Sequence, residues 1–412
     1  MPDTDALFEA SREQFYIPEG TLYLDGNSLG LLSKSAERSL LEVLNQWREL
    51  AIGGWTDGPH PWFFLAEKLA EATAPLVGAS PDAVIVTNST TVNLHQLLAT
   101  LLAEESVGNR REILIDAGAF PSDIYALHSF VRNRADLSIV TVAAEGGLLN
   151  EASILEAISE KTRMVLLPSV VYTSGQLLNM RALTMAAQKA GALIGFDCSH
   201  SVGAVPHEMD ADGIDFAFWC GYKYLNGGPG AAAGLYLNHR HHALLPGLAG
   251  WFGSNKQNQL AMEPHFTPAQ GAGALQIGTP NILSMAPLIG SLEEINRIGI
   301  NRIRTRSLEL NACLRNQVEL HLANYGFQII TPSQPQQAGG HTAITHPHAI
   351  QICRALRACG VVPDYRPPNI VRLAPVALYT RFEDCIQAIE ILREIMESKC
   401  YLEQNPERGL VP

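Results

Sequence analysis

From position 81 onward the chain alternates between two hydrophobic periods. Short, mostly apolar runs at 83–87, 113–116, 137–142, 164–172, 193–196, 215–220 and 234–237 read as buried strands. Between them, segments at 92–102, 121–132, 154–159 and 182–190 carry helical spacing. This alternation predicts parallel βαβ units and an α/β fold whose sheet is covered by helices on both faces. Upstream, Ser33 caps a predicted helix over 36–50 with Leu40, Val43, Leu44 and Trp47 on one face, and a second helix over 63–77 stops at Gly78. Downstream, one long helix is predicted over 287–324. A low-complexity loop follows at 331–340, then strands at 342–345 and 370–373 and helices at 349–358 and 382–399. The expected organisation is an N-terminal segment, 1–55, packing with the small domain; a large domain, 56–290; and a small α+β domain, 291–412.

Candidate chemistry sits where the strands stop. The run 193–196 ends in Asp197, and the run 215–220 is followed by Tyr222 and Lys223. Side chains at the carboxyl ends of neighbouring strands meet at one crevice in such sheets. An acid and a lysine there suit pyridoxal phosphate (PLP): the lysine forms a Schiff base with the aldehyde, and the acid pairs with the pyridinium nitrogen. A lysine after a strand is otherwise a solvated surface residue. Against that stand the apolar company of Trp219, Cys220 and Tyr224, the glycine-rich turn 226–230 and the polar neighbours Ser199 and His200.

Other positions keep two readings each. Asn88, Ser89, Thr90 and Thr91 at a strand-to-helix turn either cap the helix or hold an anion such as phosphate. Phe120, ahead of Pro121, Ser122 and Asp123, can stack on a flat ring, with Asp123 a helix cap or a second carboxylate. Asn27 and Ser28 serve the turn 23–30 or a ligand, and Trp55 and Trp62 are core plugs or a ligand wall. Trp251 and Thr279 either donate to a phosphate or belong to a packed loop. Arg372 clamps a carboxylate or makes a surface ion pair.

The 412 residues carry a net charge of −12 and no basic block, which argues against nucleic acid as a partner. No apolar run approaches the ~20 residues of a membrane span, and the first ten residues lack an apolar signal-peptide core. Seven cysteines without a CxxC suggest free thiols and a cytoplasmic setting. Two histidine groups, His239, His241 and His242, and His341, His346 and His348, have no cysteine or carboxylate at ligand spacing, so no metal is expected.

Taken in order, YLDGNSLG at 23–30, TVNLH at 91–95, FPSD at 120–123, GFD-x-x-H at 195–200, YKYLN at 222–226, GWFG at 250–253 and RLAPV at 372–376 resemble the kynureninase family, PLP enzymes of the aspartate-aminotransferase fold type I. The likeness covers nearly the whole chain. It implies hydrolytic cleavage of the Cβ–Cγ bond of L-kynurenine to anthranilate and L-alanine, with 3-hydroxykynurenine a poorer substrate. Lys223 would carry the cofactor, Asp197 would pair with the ring nitrogen near Asp123, and Phe120 would stack. Thr90, Thr91 and Tyr222 would hold phosphate or ring oxygen atoms, and His200 would sit at the rim. Trp251 and Thr279 would reach the phosphate of the partner subunit in a homodimer, and Arg372 would grip the α-carboxylate. Vertebrate members have histidine, serine and asparagine where this chain has Trp55, Gly278 and Thr279, which match the bacterial, kynurenine-preferring pattern. Tyr222 is the candidate acid/base for the later proton transfers. The rival readings are a cysteine desulfurase or aminotransferase of the same fold, and a non-catalytic PLP-binding homolog.

Overall fold

The computed structural model describes residues 4–105 and 108–407. The first three residues of the N-terminal lead and the last five of the C-terminal part lie outside the described residues. Seven strands form the main sheet: β1 (Val84–Thr87), β2 (Glu112–Asp116), β3 (Ser138–Val142), β4 (Thr162–Pro168), β5 (Leu193–Asp197), β6 (Phe216–Trp219) and β7 (Ala233–Leu237). Their order is β1-β7-β6-β5-β4-β2-β3. The pairs β2–β3, β2–β4, β4–β5 and β5–β6 are parallel, and β7 runs antiparallel to both β1 and β6. The sheet is therefore mainly parallel, as the alternating pattern predicts, with one reversed strand. Strands β1, β6 and β7 are buried along their length, which is why they read as unbroken apolar runs.

Because β7 is reversed against both neighbours, β1 and β6 point the same way. The carboxyl ends of β1, β2, β4, β5 and β6 thus share one edge. Asp197 is the last residue of β5, in register with Phe218 of β6, and Lys223 follows four residues after β6 ends. The pairing of strands is what carries the acid and the lysine to the same crevice.

A second, four-stranded antiparallel sheet takes the order Asp364–Arg366, Ile370–Leu373, Thr342–Thr345, Gln328–Ile329. Helices Ile300–Leu322, Ala349–Ala358 and Phe382–Ser398 supply the apolar residues of its own core. Leu22–Tyr23 pairs in parallel with Val361–Val362, and Leu24 joins that core.

Three sequence expectations change. The long helix over 287–324 is two helices, Ile282–Ile298 and Ile300–Leu322, broken at Gly299, whose φ of +88° an L side chain rarely adopts. The strand expected to reach position 172 stops at Pro168. Helix Lys34–Leu50 has the expected cap, with Ser33 Oγ accepting from Ala36 N at 3.1 Å. Its buried face, however, is Ala36, Ser39, Val43 and Gln46, whereas Leu41, Leu44, Trp47 and Leu50 are exposed. No helix among the described residues is long and apolar enough to cross a membrane.

Candidate active site

The lysine expected on strand-end grounds is buried. Lys223 Nζ lies 2.9 Å from His200 Nε2, 5.7 Å from the centroid of the Phe120 ring and 6.0 Å from that of Tyr222. The carboxyls of Asp123 and Asp197 are neighbours, close enough for the charge of one to act on the other. Burial, then the charge of Asp197, pushes the Asp123 carboxyl well above the usual range, while Lys223 pulls it down. Asp197 Oδ1 also accepts from Ser199 N at 2.9 Å, which aims the side chain back over the strand end. Ser169, just past β4, bonds the Asp197 carbonyl at 3.1 Å through Oγ and Ser201 Oγ at 2.7 Å.

The two helices that follow β1 and β2, Thr90–Leu101 and Pro121–Val131, bring their N-termini together: Thr91 Oγ1 is 2.5 Å from Ser122 Oγ. Neither N-cap, Ser89 or Phe120, gives a side-chain hydrogen bond to its helix. Free N–H groups and two helix dipoles are left for an anion. This end of the sheet fits PLP: a buried amine for the aldehyde, a pair of neighbouring carboxyls for a ring N–H, an aromatic ring beside them, and an uncapped double helix terminus for the phosphate. Tyr222 is half-buried, and burial raises its phenol above the usual range, so it is held as a donor.

Arg372 lies at the far side and is already engaged. Nε and Nη2 bond Asp364, Nη1 donates to the Tyr172 carbonyl at 2.6 Å, and Nη2 donates to Ser28 Oγ at 3.2 Å. Asn27 is fully buried with both amide atoms unpartnered, and the backbone of its turn packs on the lysine loop, with Gly30 N donating to the Tyr222 carbonyl at 2.8 Å. An unsatisfied buried amide costs about 1–3 kcal/mol, which makes Asn27 a ready ligand contact.

Four residues escaped the sequence reading. Tyr172 stands between Phe120 (5.5 Å) and His200 (6.3 Å). His341, set aside as part of a metal motif, is buried against His200 at 5.9 Å, while His346 and His348 pack elsewhere, against Tyr401. Burial first, and then the cations Lys223 and Arg372, push both His200 and His341 well below the usual imidazole range. Asp364 is the direct cross-strand partner of Arg372. Asp25 is raised to about 7 by burial and by the charge of Asp364. Only Asp364 left a local signal, since it and Arg372 flank the turn 366–370 almost symmetrically.

The remaining candidates form a different cluster. Trp55 packs on Trp62 (5.7 Å) and Phe252 (5.8 Å), and Phe252 on Trp251 (5.5 Å). Phe252 N donates to the Ile277 carbonyl at 3.2 Å, which seats the 250–253 turn beside Gly278 and Thr279. Trp251, Gly278 and Thr279 are exposed. Among the described residues, the hydrogen bond and the ring contacts of Lys223 run to His200, Phe120 and Tyr222 and not to this group.

The kynureninase C-terminal domain model matches residues 303–392, and the DegT/DnrJ/EryC1/StrS aminotransferase family matches residues 45–214. The chain is 50% identical over 404 residues to the kynureninase of Geobacillus thermodenitrificans, and 51% over 402 residues to that of Bacillus anthracis; each match covers 97% of this chain and 94% of the relative. Among solved structures, the apo cysteine desulfurase of Thermococcus onnurineus superposes with a TM-score of 0.80 at 17% identity, over 95% of this chain and 98% of that one. A cystine C–S lyase complexed with cysteine persulfide gives 0.78 at 17% identity, over 91% and 98%. At that identity the likeness is one of fold.

Proposed function

The chain belongs to the kynureninase family, PLP-dependent hydrolases of carbon–carbon bonds, and on that premise we propose that it cleaves L-kynurenine to anthranilate and L-alanine, and 3-hydroxykynurenine less well. We assign the role to tryptophan breakdown by the kynurenine route. The observation that carries the reading is the buried Lys223 amine, hydrogen-bonded to a neutral His200 and facing the neighbouring carboxyls of Asp123 and Asp197.

PLP, when bound, supplies an aldehyde that links to an amine and a ring that accepts the electron pair released at the substrate's α-carbon. Asp197, with Asp123 beside it, holds the ring N–H; Thr90, Thr91, Ser122 and the two helix termini hold the phosphate; Phe120 and Pro121 cover the ring. Lys223 takes and returns the α-proton, and neutral His200 accepts a hydrogen bond from its amine. Arg372, with Ser28 and Asn27, grips the α-carboxylate. Asp364 already neutralises part of that guanidinium, so it serves as an oriented donor fork more than as a bare charge. Water adds to the γ-carbonyl carbon; as the Cβ–Cγ bond breaks, Tyr222 passes its phenolic proton to Cβ, and the proton shed by the new carboxyl group restores the phenol.

The half-buried Trp55 and the exposed Trp251, Gly278 and Thr279 belong to the site of a second copy, so the working unit is a homodimer. Supporting this, Leu41, Leu44, Trp47 and Leu50 form an apolar stripe on the helix beside it, and a cavity of about 510 Å³ runs between Trp47, Trp55 and Pro280. Residues 56–290 form the cofactor part. The N-terminal segment and 291–412 form the part that closes over the carboxylate, a division supported by the pairing of Leu22–Tyr23 with Val361–Val362.

A desulfurase reading needs a nucleophilic thiol at the site. The nearby candidates are Cys198, buried and pushed up to about 12, and Cys220, also raised by burial, so both stay protonated. The deciding assay mixes protein with PLP and L-kynurenine and follows anthranilate fluorescence, with L-cysteine and sulfide release in parallel. Anthranilate without sulfide is expected; sulfide without anthranilate overturns the reading.

A further inference from the structure

The histidines at 239–242 lack a carboxylate beside them in sequence, but the fold brings one. Strands β1 and β7 are antiparallel neighbours, so the turn Pro81–Ala83 that enters β1 faces the turn His239–His241 that leaves β7. His239 Nδ1 lies 3.8 Å from Asp82 Oδ2, and the His239 and His242 rings are 4.7 Å apart. One donor atom from each of Asp82, His239 and His242 falls within 4.8 Å of the others. His241 is committed elsewhere, to Asp215 Oδ1 at 2.6 Å.

The other ring nitrogens are engaged in a telling way. His242 Nε2 is 3.0 Å from the Leu237 carbonyl. A carbonyl only accepts, so His242 carries its proton on Nε2 and presents a lone pair on Nδ1. His239 Nε2 is 2.6 Å from Ser80 Oγ, and Ser80 Oγ donates to Asp210 Oδ2 at 3.2 Å. A serine hydroxyl that spends its proton on Asp210 accepts from His239 Nε2, which again leaves Nδ1 as the free donor atom, on the side of Asp82. A ring N–H bonded to a carbonyl, or to a hydroxyl backed by a carboxylate, is the outer support that metal-binding histidines have.

We propose that Asp82, His239 and His242 bind a zinc-class divalent ion that ties the entry of β1 to the exit of β7. Two imidazoles and one carboxylate suit Zn²⁺ over Mg²⁺ or Ca²⁺. Three protein ligands leave a fourth, solvent-facing position for water, because Asp82 and His239 are exposed. Metal–ligand bonds of about 2 Å draw the three atoms to roughly 3.3 Å of each other, a closure that rotation of two exposed side chains supplies. The ion would brace the edge of the sheet whose next turn is Asn88–Thr91, so its effect is on stability and not on turnover.

The test uses chelator-treated holoenzyme, with Zn²⁺ followed by calorimetry and Co²⁺ by its visible absorption. About one Zn²⁺ per chain, an intense Co²⁺ band of the tetrahedral type and a raised unfolding midpoint are expected. His242→Ala and Asp82→Asn should each weaken binding about tenfold or more, with metal-free turnover unchanged. Asp82→Asn keeps the shape of the side chain, so loss of binding there does not reflect a folding defect. Zinc uptake by both variants equal to that of the unaltered protein places the ion elsewhere and overturns the proposal, as does no uptake at all.

Discussion

The lysine basin and the tryptophan edge were expected to serve one site, yet they are built on opposite terms. Around Lys223 the polar groups are buried and already answer one another: amine to imidazole, guanidinium to carboxylate. At the edge, Trp251 is 47% exposed, and Gly278 and Thr279 are exposed with it. The basin is organised before any ligand arrives. The edge exposes apolar area that only another surface covers. In the proposed homodimer one chain would supply the chemistry of one site and the wall of another, which is the comparison the following experiments press.

The largest effect belongs to the basin. Lys223→Ala should abolish turnover, a loss of at least about 10⁴-fold, and remove the visible absorbance of the lysine-linked cofactor. Borohydride reduction followed by digestion should label the Lys223 peptide alone; a label elsewhere sinks the assignment. Asp197→Ala comes next, at about 3–4 kcal/mol of barrier or roughly 10²–10³-fold in kcat. Near-normal kcat would mean that Asp123 alone holds the ring proton.

Subunit mixing tests the edge. If Trp251 serves the neighbour's site, Lys223→Ala and Trp251→Ala chains are each impaired, but a hybrid dimer keeps one intact site. Random mixing puts half of the dimers in hybrid form, so activity should return to about a quarter of the unaltered enzyme. No recovery on mixing would place both residues in one chain's site and erase the contrast.

How legible this was varies by residue. Asp197, Lys223, Phe120 and the run 88–91 were readable because each sits where a local pattern stops, and parallel pairing does the rest. His341 and Tyr172 were not, because their meeting with His200 depends on two connections that no local period records. The helix Lys34–Leu50 teaches a narrower point. Its apolar stripe was visible, but periodicity states that a face is apolar, not what covers it, and Leu44 and Trp47 face outward. Gly299 was read through as helix because a single glycine costs only about 1 kcal/mol there.

Asp25 offers a pH test of the carboxylate side. Its folded value of about 7 stands above the ordinary 3.8, so the folded chain binds the extra proton between those limits. Folding stability from this group is then full below about pH 4 and falls as pH rises through 7. Asp25→Asn imitates the protonated acid. It should flatten the decline between pH 5 and 8 by on the order of 2 kcal/mol, read from urea unfolding at each pH. An unchanged slope would show that Asp25 is ionised throughout.

The smallest effect is the most selective. Trp55 and Gly278 make the proposed edge of the substrate pocket apolar, and a Cβ on Gly278 would meet nothing within 4 Å. Gly278→Ser therefore adds a hydroxyl without strain, and Trp55→His adds a second polar group in place of an indole resting on Phe252. A matched hydrogen bond to the 3-hydroxyl should move the ratio of kcat/KM for 3-hydroxykynurenine over kynurenine upward by up to about tenfold, since a single hydrogen bond has a net worth of about 0.5–1.5 kcal/mol. The double variant should keep cofactor absorbance and most of its kcat, because the basin is untouched. A fall in both substrates alike would mean that the edge holds the cofactor more than it selects the ring. An unchanged ratio would remove these two positions from the substrate pocket while leaving the lysine basin as it stands.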